Sequence, residues 1–166
     1  MWKKLTNINK ILVPVDLTDS SLCAVEAALT FAIEKKTQIY LIHVIHKVTG
    51  NSTPGTSGIT HGGEQEAARE YRALDEFFQN KIRPQSRFAY IVRSGVPSVE
   101  ILTFAREEAV DLVVMPIGSA RGPDAFSLDG IAGQIIEKAG VPVLIVKGDT
   151  VVKKHVEGKH MSPAGR

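Results

Sequence analysis

The chain has 166 residues, of which 43% are hydrophobic and 23% are charged. This composition is typical of one ordinary globular domain with some residues left for terminal extensions. Twenty basic residues against 18 acidic ones give a net charge of +2. Nucleic-acid-binding domains usually carry a larger and more clustered basic excess, so we expect no nucleic acid among the partners.

The sequence shows no sign of secretion or of insertion into a membrane. The only cysteine is Cys23, which excludes an intrachain disulfide. No apolar run approaches the roughly 18 residues that a membrane span needs. The first ten residues, MWKKLTNINK, lack the apolar core of a signal peptide. We therefore expect a cytoplasmic protein without a membrane span.

The first 45 residues predict a strand, a helix and a second strand. Residues 10–16, KILVPVD, form the first strand, although Pro14 weakens this prediction because proline removes a sheet donor. Three residues can cap the helix that follows: Thr18, Asp19 and Ser20. Its apolar face consists of Leu22, Val25, Leu29, Ala32 and Ile33. Residues 38–45, QIYLIHVI, form the second strand.

The middle of the chain predicts a loop, a helix, a strand and another helix. Residues 49–63 are rich in Gly, Ser and Thr, which indicates a solvated connection or, alternatively, a flap over a site. Residues 64–82 form a helix whose apolar face is Ala67, Tyr71, Leu74, Phe78 and Ile82. Residues 88–92 form the third strand, and a turn over 94–97 precedes a helix that begins at Pro97 or Ser98. The buried set of that helix is Ile101, Leu102, Ala105 and Ala109.

Residues 111–146 predict a strand, loop, helix and strand unit. The two strands, 112–115 and 143–146, are short apolar runs bounded by turn residues. Between them, apolar residues recur every three or four positions: Leu128, Ile131, Ala132, Ile135, Ile136 and Ala139. The loop over 116–129 is the first candidate for a functional segment, because ligands of parallel sheets sit where strands end and helices begin.

Five strands alternating with four helices predict a doubly wound α/β fold. Right-handed crossovers with helices on both faces give a parallel sheet with strand order 3-2-1-4-5. The order reverses between strands 1 and 4, which brings Asp16 near Gly118 and Ser119. We expect an N-terminal extension over 1–8, the domain over 9–148 and a flexible tail over 149–166.

Five segments in a fixed order resemble the signatures of the universal stress protein family over residues 9–148. They are KILVPVDLTDSS, LIHVI, SGVPSVEIL, DLVVMPIGS and AGVPVLIV. The resemblance implies a Rossmann-like five-stranded fold, and ATP binding between the first and fourth strands in many members. It also implies a homodimer paired through the last strand, at Val143, Leu144, Ile145 and Val146.

The phosphate loop departs from the pattern of the ATP-binding members. Their loop is similar to G-x-x-G, nine residues, then Gly followed by Ser or Thr. Aligned on AGVPVLIV, the four motif positions hold Pro116, Ser119, Asp129 and Gly130. A shifted register recovers Gly118, Gly122 and Gly130 with altered spacing, and Ile131 then replaces the hydroxyl residue. A carboxylate at 129 would repel a phosphate charge ~4 Å away by roughly 1 kcal/mol in water, and by more in a buried site.

The candidate ligand-binding residues follow from the resemblance. They are Pro14, Asp16, Val44, Met115, Gly118, Ser119, Gly130 and Ile131. Asp16 matches the acid that contacts adenosine in the family. We expect no metal site, because no histidine pair has the i, i+4 spacing of a helical metal site. His43 lies within a strand and is interpreted as a satisfied core or edge residue rather than a catalytic base.

Three functions stay open. The first is a homodimeric regulatory or interaction protein without the usual ATP binding, requiring no cofactor and acting on unidentified protein partners. The second is an adenine-nucleotide-binding stress protein, for ATP or AMP, with at most slow ATPase activity. The third is an enzyme of the wider adenine-nucleotide hydrolase-like superfamily, for which the sequence shows no nucleophile and base. A response-regulator receiver is disfavoured because Arg93 and Ser94 stand where its phosphoacceptor aspartate would end the third strand.

Overall fold

The structure, a computed structural model, describes residues 8–32, 36–46, 62–82, 88–117 and 130–147. Its strands are β1 Lys10–Pro14, β2 Gln38–His46, β3 Phe88–Gly95, β4 Leu112–Ile117 and β5 Val143–Lys147. Its helices are α1 Asp19–Phe31, α2 Gly62–Lys81, α3 Pro97–Glu107 and α4 Ile131–Lys138. Strands and helices alternate along the chain, as the sequence predicts.

The five strands form one parallel sheet in the order β3-β2-β1-β4-β5. This confirms the predicted α/β fold and strand order. Strand β1 is central, and its residues 11–13 are completely buried. A central parallel strand is covered on both faces, which is why ILV reads as a continuous apolar run rather than an alternating one.

Two apolar cores lie on opposite faces of the sheet. Alternate strand residues supply them: Ile11 and Val13 face the core that contains α1 and α2 residues, and Leu12 faces the core that contains α3 and α4 residues. The largest fully buried side chain of the first core is Phe78 of α2, and Ile135 of α4 is fully buried in the second. Helices therefore cover both faces of the sheet.

Strand ends differ from the predicted bounds where local hydrogen bonding decides them. β1 ends at Pro14, two residues earlier than predicted, although the N–H of Val15 still donates to the Ile42 carbonyl at 2.8 Å. β3 continues to Gly95, so the prediction of a turn from residue 94 is wrong, because Ser94 and Gly95 pair with β2.

The buried face of α1 also differs from the predicted one. Its fully buried positions are small residues: Ser21, Ala24, Val25 and Ala28. Leu22 and Leu29, which we expected on this face, are only partly buried. Small side chains let the helix axis approach the sheet closely, so packing distance overrides side-chain hydrophobicity here.

Several predicted segments lie outside the described residues. They are residues 1–7 of the N-terminal extension, residues 49–61 of the Gly- and Ser-rich segment, residues 118–129 and the tail over 149–166. Among the described helices, none combines the length and the apolar character that crossing a membrane requires.

Candidate functional site

The turn from β1 into α1 is organised around the carboxylate of Asp16. Its Oδ1 accepts hydrogen bonds from the Ser21 hydroxyl at 2.6 Å, from the Thr18 amide at 3.0 Å and from the Thr18 hydroxyl. The Ser21 hydroxyl oxygen also accepts the Asp16 amide at 2.8 Å. Ser21 is fully buried. Asp16 is thus fixed at the end of β1 by a short-range network.

The same turn starts α1. Thr18 occupies the N-cap position, one of the three residues that the sequence offers for it. Its side chain makes no cap bond to the helix and turns back to Asp16 instead. Asp19, in the first helical turn, forms an ion pair with Lys81 of α2 at 3.0 Å. In the segment DLTDSS, the side chains of Thr18 and Ser21 therefore hold Asp16 in the turn and do not cap the helix.

His43 of β2 supports this turn from the side. Its Nδ1 lies 2.9 Å from the carbonyl oxygen of Val15. Its Nε2 lies 3.8 Å from Oε2 of Glu70 on α2. The prediction that His43 is a partly buried, hydrogen-bonded residue agrees with this environment.

These groups meet in a cleft of about 210 Å³ at the carboxyl end of the sheet. It is lined by Pro14, Val15, Asp16, Ser21, Ile42, His43, Val44, Pro97, Ile101, Met115, Pro116 and Ile131. The structure thus brings together five of the eight candidate ligand-binding residues: Pro14, Asp16, Val44, Met115 and Ile131. Gly130 is the N-cap of α4 and does not line the cleft, and Gly118 and Ser119 lie outside the described residues.

Sequence reasoning missed part of the cleft wall. Pro97 and Ile101 reach it because α3 begins at the same edge of the sheet as α1 and α4. Ile42 falls within the predicted second strand, and no role is assigned to Ser21 from the sequence. For Pro97 the signal was available in the topology, since every strand of a parallel sheet delivers its following turn to one edge.

Helices α3 and α4 begin side by side at this edge. The buried hydroxyl of Ser98, in the first turn of α3, donates to the side-chain carbonyl of Gln134 on α4 at 2.6 Å. The N-cap residues, Val96 and Gly130, make no side-chain cap bond. Helix N-termini carry partial positive charge, so this side of the cleft favours a negatively charged ligand group.

The described part of the cleft offers a polar contact point and apolar walls to a ligand. Oδ2 of Asp16 has no hydrogen bond within the described residues, so it can accept one from a ligand N–H or O–H. The Ser21 hydroxyl is fully buried and engaged with Asp16, which makes it a poor nucleophile. The remaining walls are mainly apolar and can cover a flat ring.

A larger cleft of about 900 Å³ lies at the amino end of the sheet, between the C-terminal halves of α3 and α4. Its walls are mostly apolar, and its cations are Arg106 and Lys138. Both cations stand in the last turns of their helices, where they offset the partial negative charge of the C-termini. Stabilisation of the two helix ends therefore accounts for Arg106 and Lys138. The cleft of about 210 Å³ is the better functional candidate, although its volume is smaller.

The amino end of β1 carries a separate polar cluster. Nζ of Lys10 lies 3.2 Å from Oε2 of Glu108, which also accepts a bond from the Tyr40 hydroxyl at 3.1 Å. The hydrogen bond from Lys10, followed by that from Tyr40, lowers the pKa of the Glu108 carboxyl below its ordinary value. The same bond to Glu108 raises the pKa of Lys10. This cluster joins β1 and β2 to the end of α3 and has a structural role.

Fold and cleft together define an α/β protein with a cleft at the switch point of a doubly wound sheet. The model of the universal stress protein family matches residues 7–147, and the chain belongs to that family. It is 31% identical over 144 residues to universal stress protein MJ0531 of Methanocaldococcus jannaschii, covering 83% of this chain and 81% of that protein.

Solved structures agree on the fold. Universal stress protein UspA from Lactobacillus plantarum superimposes with a TM-score of 0.66 at 19% identity, covering 85% of this chain and 99% of the other. A family member from Arabidopsis thaliana, solved with AMP bound, superimposes with a TM-score of 0.54 at 22% identity. That match covers 84% of this chain and 90% of the other. At these identities the likeness concerns the fold alone.

Proposed function

We propose that this chain is a homodimeric regulatory or interaction protein of the universal stress family, acting in the cytoplasm, that does not hold ATP in the usual way. The observation that carries the proposal is the content of the phosphate loop. Its motif positions hold Pro116, Ser119, Asp129 and Gly130 instead of glycines and a hydroxyl residue. Missing glycines hinder the approach of backbone amides to phosphates, and Asp129 adds a like charge.

The start of α4 supports the same proposal. In the structure the helix begins at Ile131 after the N-cap Gly130, and Gly130 has no hydroxyl to offer a phosphate. The partial charge of the helix end remains, but the side-chain donor that would accompany it is lacking. We therefore expect weaker binding of a phosphate chain at this end of the cleft. At the other end, the hydrogen bonds that hold Asp16 are present.

A second candidate function is binding of an adenine nucleoside or nucleotide with few phosphates, such as AMP. The cleft favours it, because Asp16 offers a hydrogen-bond acceptor beside apolar walls at the switch point of the sheet. The Arabidopsis relative was solved with AMP. If ATP is hydrolysed at all in this cleft, we expect slow turnover, because the Ser21 hydroxyl, which pairs with Asp16 among the described residues, is fully buried and poorly placed to attack a phosphate.

Calorimetric titration with ATP, ADP and AMP, each with and without magnesium, tests both candidates. The protein is first denatured and checked for nucleotide that copurified with it. We expect no heat with ATP and, for the second candidate, a signal with AMP that Asp16→Ala abolishes. Asp19→Ala is the matched control, because Asp19 belongs to the same turn but pairs with Lys81 outside the cleft. Micromolar ATP binding that depends on Asp16 would overturn the leading proposal.

We propose that dimerisation uses β5, which is one of the two edge strands of the described sheet. Ile145 on this strand is exposed, and its neighbours on the strand, Leu144 and Val146, are also apolar. The Val113 amide donates to the Pro142 carbonyl, and parallel pairing then directs the Leu144 amide towards β4 and the Ile145 amide towards the outer edge. An open apolar edge of this kind is a pairing surface for a second strand.

The direction of the amides gives a discriminating pair of variants. Ile145→Pro removes an outward amide and is expected to yield a folded monomer in sedimentation velocity. Leu144→Pro removes an amide that pairs with β4, so it should lower the stability of the protomer itself. A folded Ile145→Pro variant with unchanged dimer mass would contradict pairing through β5.

A further inference from the structure

His43 joins three elements at the cleft. It stands on β2, its Nδ1 contacts the Val15 carbonyl beyond the end of β1, and its Nε2 faces Glu70 of α2. Its side chain is 20% exposed and that of Glu70 is 31% exposed, so the contact is partly shielded from water. An ion pair in that position is worth more than one on the open surface.

The bond to Val15 fixes the state of one ring nitrogen. A carbonyl oxygen can only accept a hydrogen bond, so Nδ1 of His43 carries the proton. The amide of Val15 donates to the Ile42 carbonyl at 2.8 Å. Both backbone polar groups of Val15 are therefore held by β2, and Asp16 is the next residue along the chain. The position of Val15 sets the position from which Asp16 enters the cleft.

The second ring nitrogen makes the contact with α2 depend on charge. Nε2 lies 3.8 Å from Oε2 of Glu70. In the neutral ring this nitrogen presents a lone pair to the carboxylate, whereas in the charged ring it presents an N–H. On β3, the residue that pairs with His43 is Val92, which is uncharged. In the β1–α1 turn, the acid nearest in sequence to Val15 is Asp16. Attraction between β2 and α2 at this point exists only when the ring is charged.

We infer that His43 is a positioning residue for the Asp16 cleft, and that protonation of its ring tightens the β1–α1 turn by adding the Glu70 contact. For its ligand this inference rests on the second candidate function. His43 acts through Val15 and Asp16 and takes no part in a reaction.

Nuclear magnetic resonance of the ligand-free protein tests the positioning role without any nucleotide. In a pH titration of the native protein the amide signals of Val15 and Asp16 should move together with the ring signals of His43. His43→Asn keeps a side-chain N–H near the Nδ1 position but does not titrate, so the movement should disappear while the fold is kept. Amide signals of Val15 and Asp16 that ignore pH in the native protein would overturn the inference.

Adenosine binding provides the second arm, because adenosine does not change charge over the pH range of such a titration. We expect His43→Ala to weaken binding at least about tenfold, which corresponds to ~1.4 kcal/mol, and His43→Asn to stay within about twofold at pH 8. Native protein should bind adenosine more tightly at pH 6 than at pH 8. Glu70→Gln should remove that difference, and Glu66→Gln, the same change at an exposed position of α2, should preserve it.

The two arms separate the two ideas. Native protein that binds no adenosine contradicts the nucleotide proposal, and the resonance titration then still decides whether His43 positions Asp16. Native protein that binds adenosine equally well when His43 is alanine contradicts the positioning role and leaves the nucleotide proposal intact.

Discussion

Replacing Ser21 with alanine removes the buried hydroxyl that holds Asp16. That hydroxyl donates to the Asp16 carboxylate at 2.6 Å and accepts the Asp16 amide at 2.8 Å. Ser21 is fully buried, so water cannot replace it on the helix side. We therefore expect Ser21→Ala to lower both the stability of the protein and the precision with which Asp16 is presented.

The magnitude follows from the two bonds. A hydrogen bond to an ionised group contributes ~1.5–3 kcal/mol, and a neutral one contributes ~0.5–1.5 kcal/mol. Asp16 also accepts two bonds from Thr18, which keep the carboxylate partly satisfied after the change. Together these terms give an expected loss of about 2–4 kcal/mol in the free energy of unfolding.

Urea unfolding followed by circular dichroism measures this loss, provided that the slope of free energy against urea stays constant. Ser20→Ala is the matched control. Ser20 is its neighbour in α1, is 9% exposed, and its hydroxyl makes no hydrogen bond within the described residues. The control should change stability by less than about 1 kcal/mol. Equal losses for the two variants would refute the role assigned to the Ser21 hydroxyl.

Three further changes probe the scaffold. Phe78→Ala should cost about 3–5 kcal/mol by urea unfolding, because its ring is 1% exposed in the core under α2; a loss below 1 kcal/mol would contradict that packing. The hydrogen bond from Lys10 lowers the pKa of Glu108, so its stabilising effect is complete above the ordinary carboxyl pKa of 4.5 and is lost as the pH falls below it. Glu108→Gln should thus lessen acid sensitivity, and an unchanged acid limb of the stability curve would argue otherwise. Gly95→Ala should cost ~1–3 kcal/mol, since Gly95 has φ +152° and a Cβ there would lie 2.8 Å from Oε1 of Glu100; a neutral effect would disprove the strain.

The fold was predictable because its signals are local and repeated. Each buried strand is a short apolar run between turn residues, and each helix has apolar residues at intervals of three and four. Two such periods in strict alternation leave few topologies, which right-handed crossovers narrow to the observed strand order. Bounds were less predictable, because pairing partners decide them. β3 extends to Gly95 only because His46 of β2 is there to pair with it.

The site was predictable only in outline. Asp16 and Met115 follow from the rule that functional residues stand at the carboxyl ends of strands beside the switch point. Ser21 could not be singled out, because a serine in a helical pattern looks the same whether it faces water, the sheet or an acid. The link from His43 to Val15 and Glu70 depends on side-chain directions of three elements, and no spacing in the sequence encodes it.

The architecture separates the hydrogen bonds that hold Asp16 from the connection between β4 and α4. The hydrogen bonds that the structure gives to Asp16 come from Thr18 and Ser21, which lie within five positions of it. Those that fix Val15 come from β2, through Ile42 and His43. The acid is thus set by β1, β2 and the start of α1, whereas the proposed motif positions lie at the end of β4 and in the connection from β4 to α4. Substitutions in that connection alter what is offered to a phosphate without removing these bonds. On the proposal made for the phosphate loop, the chain can therefore still present Asp16 to a ligand with few charges.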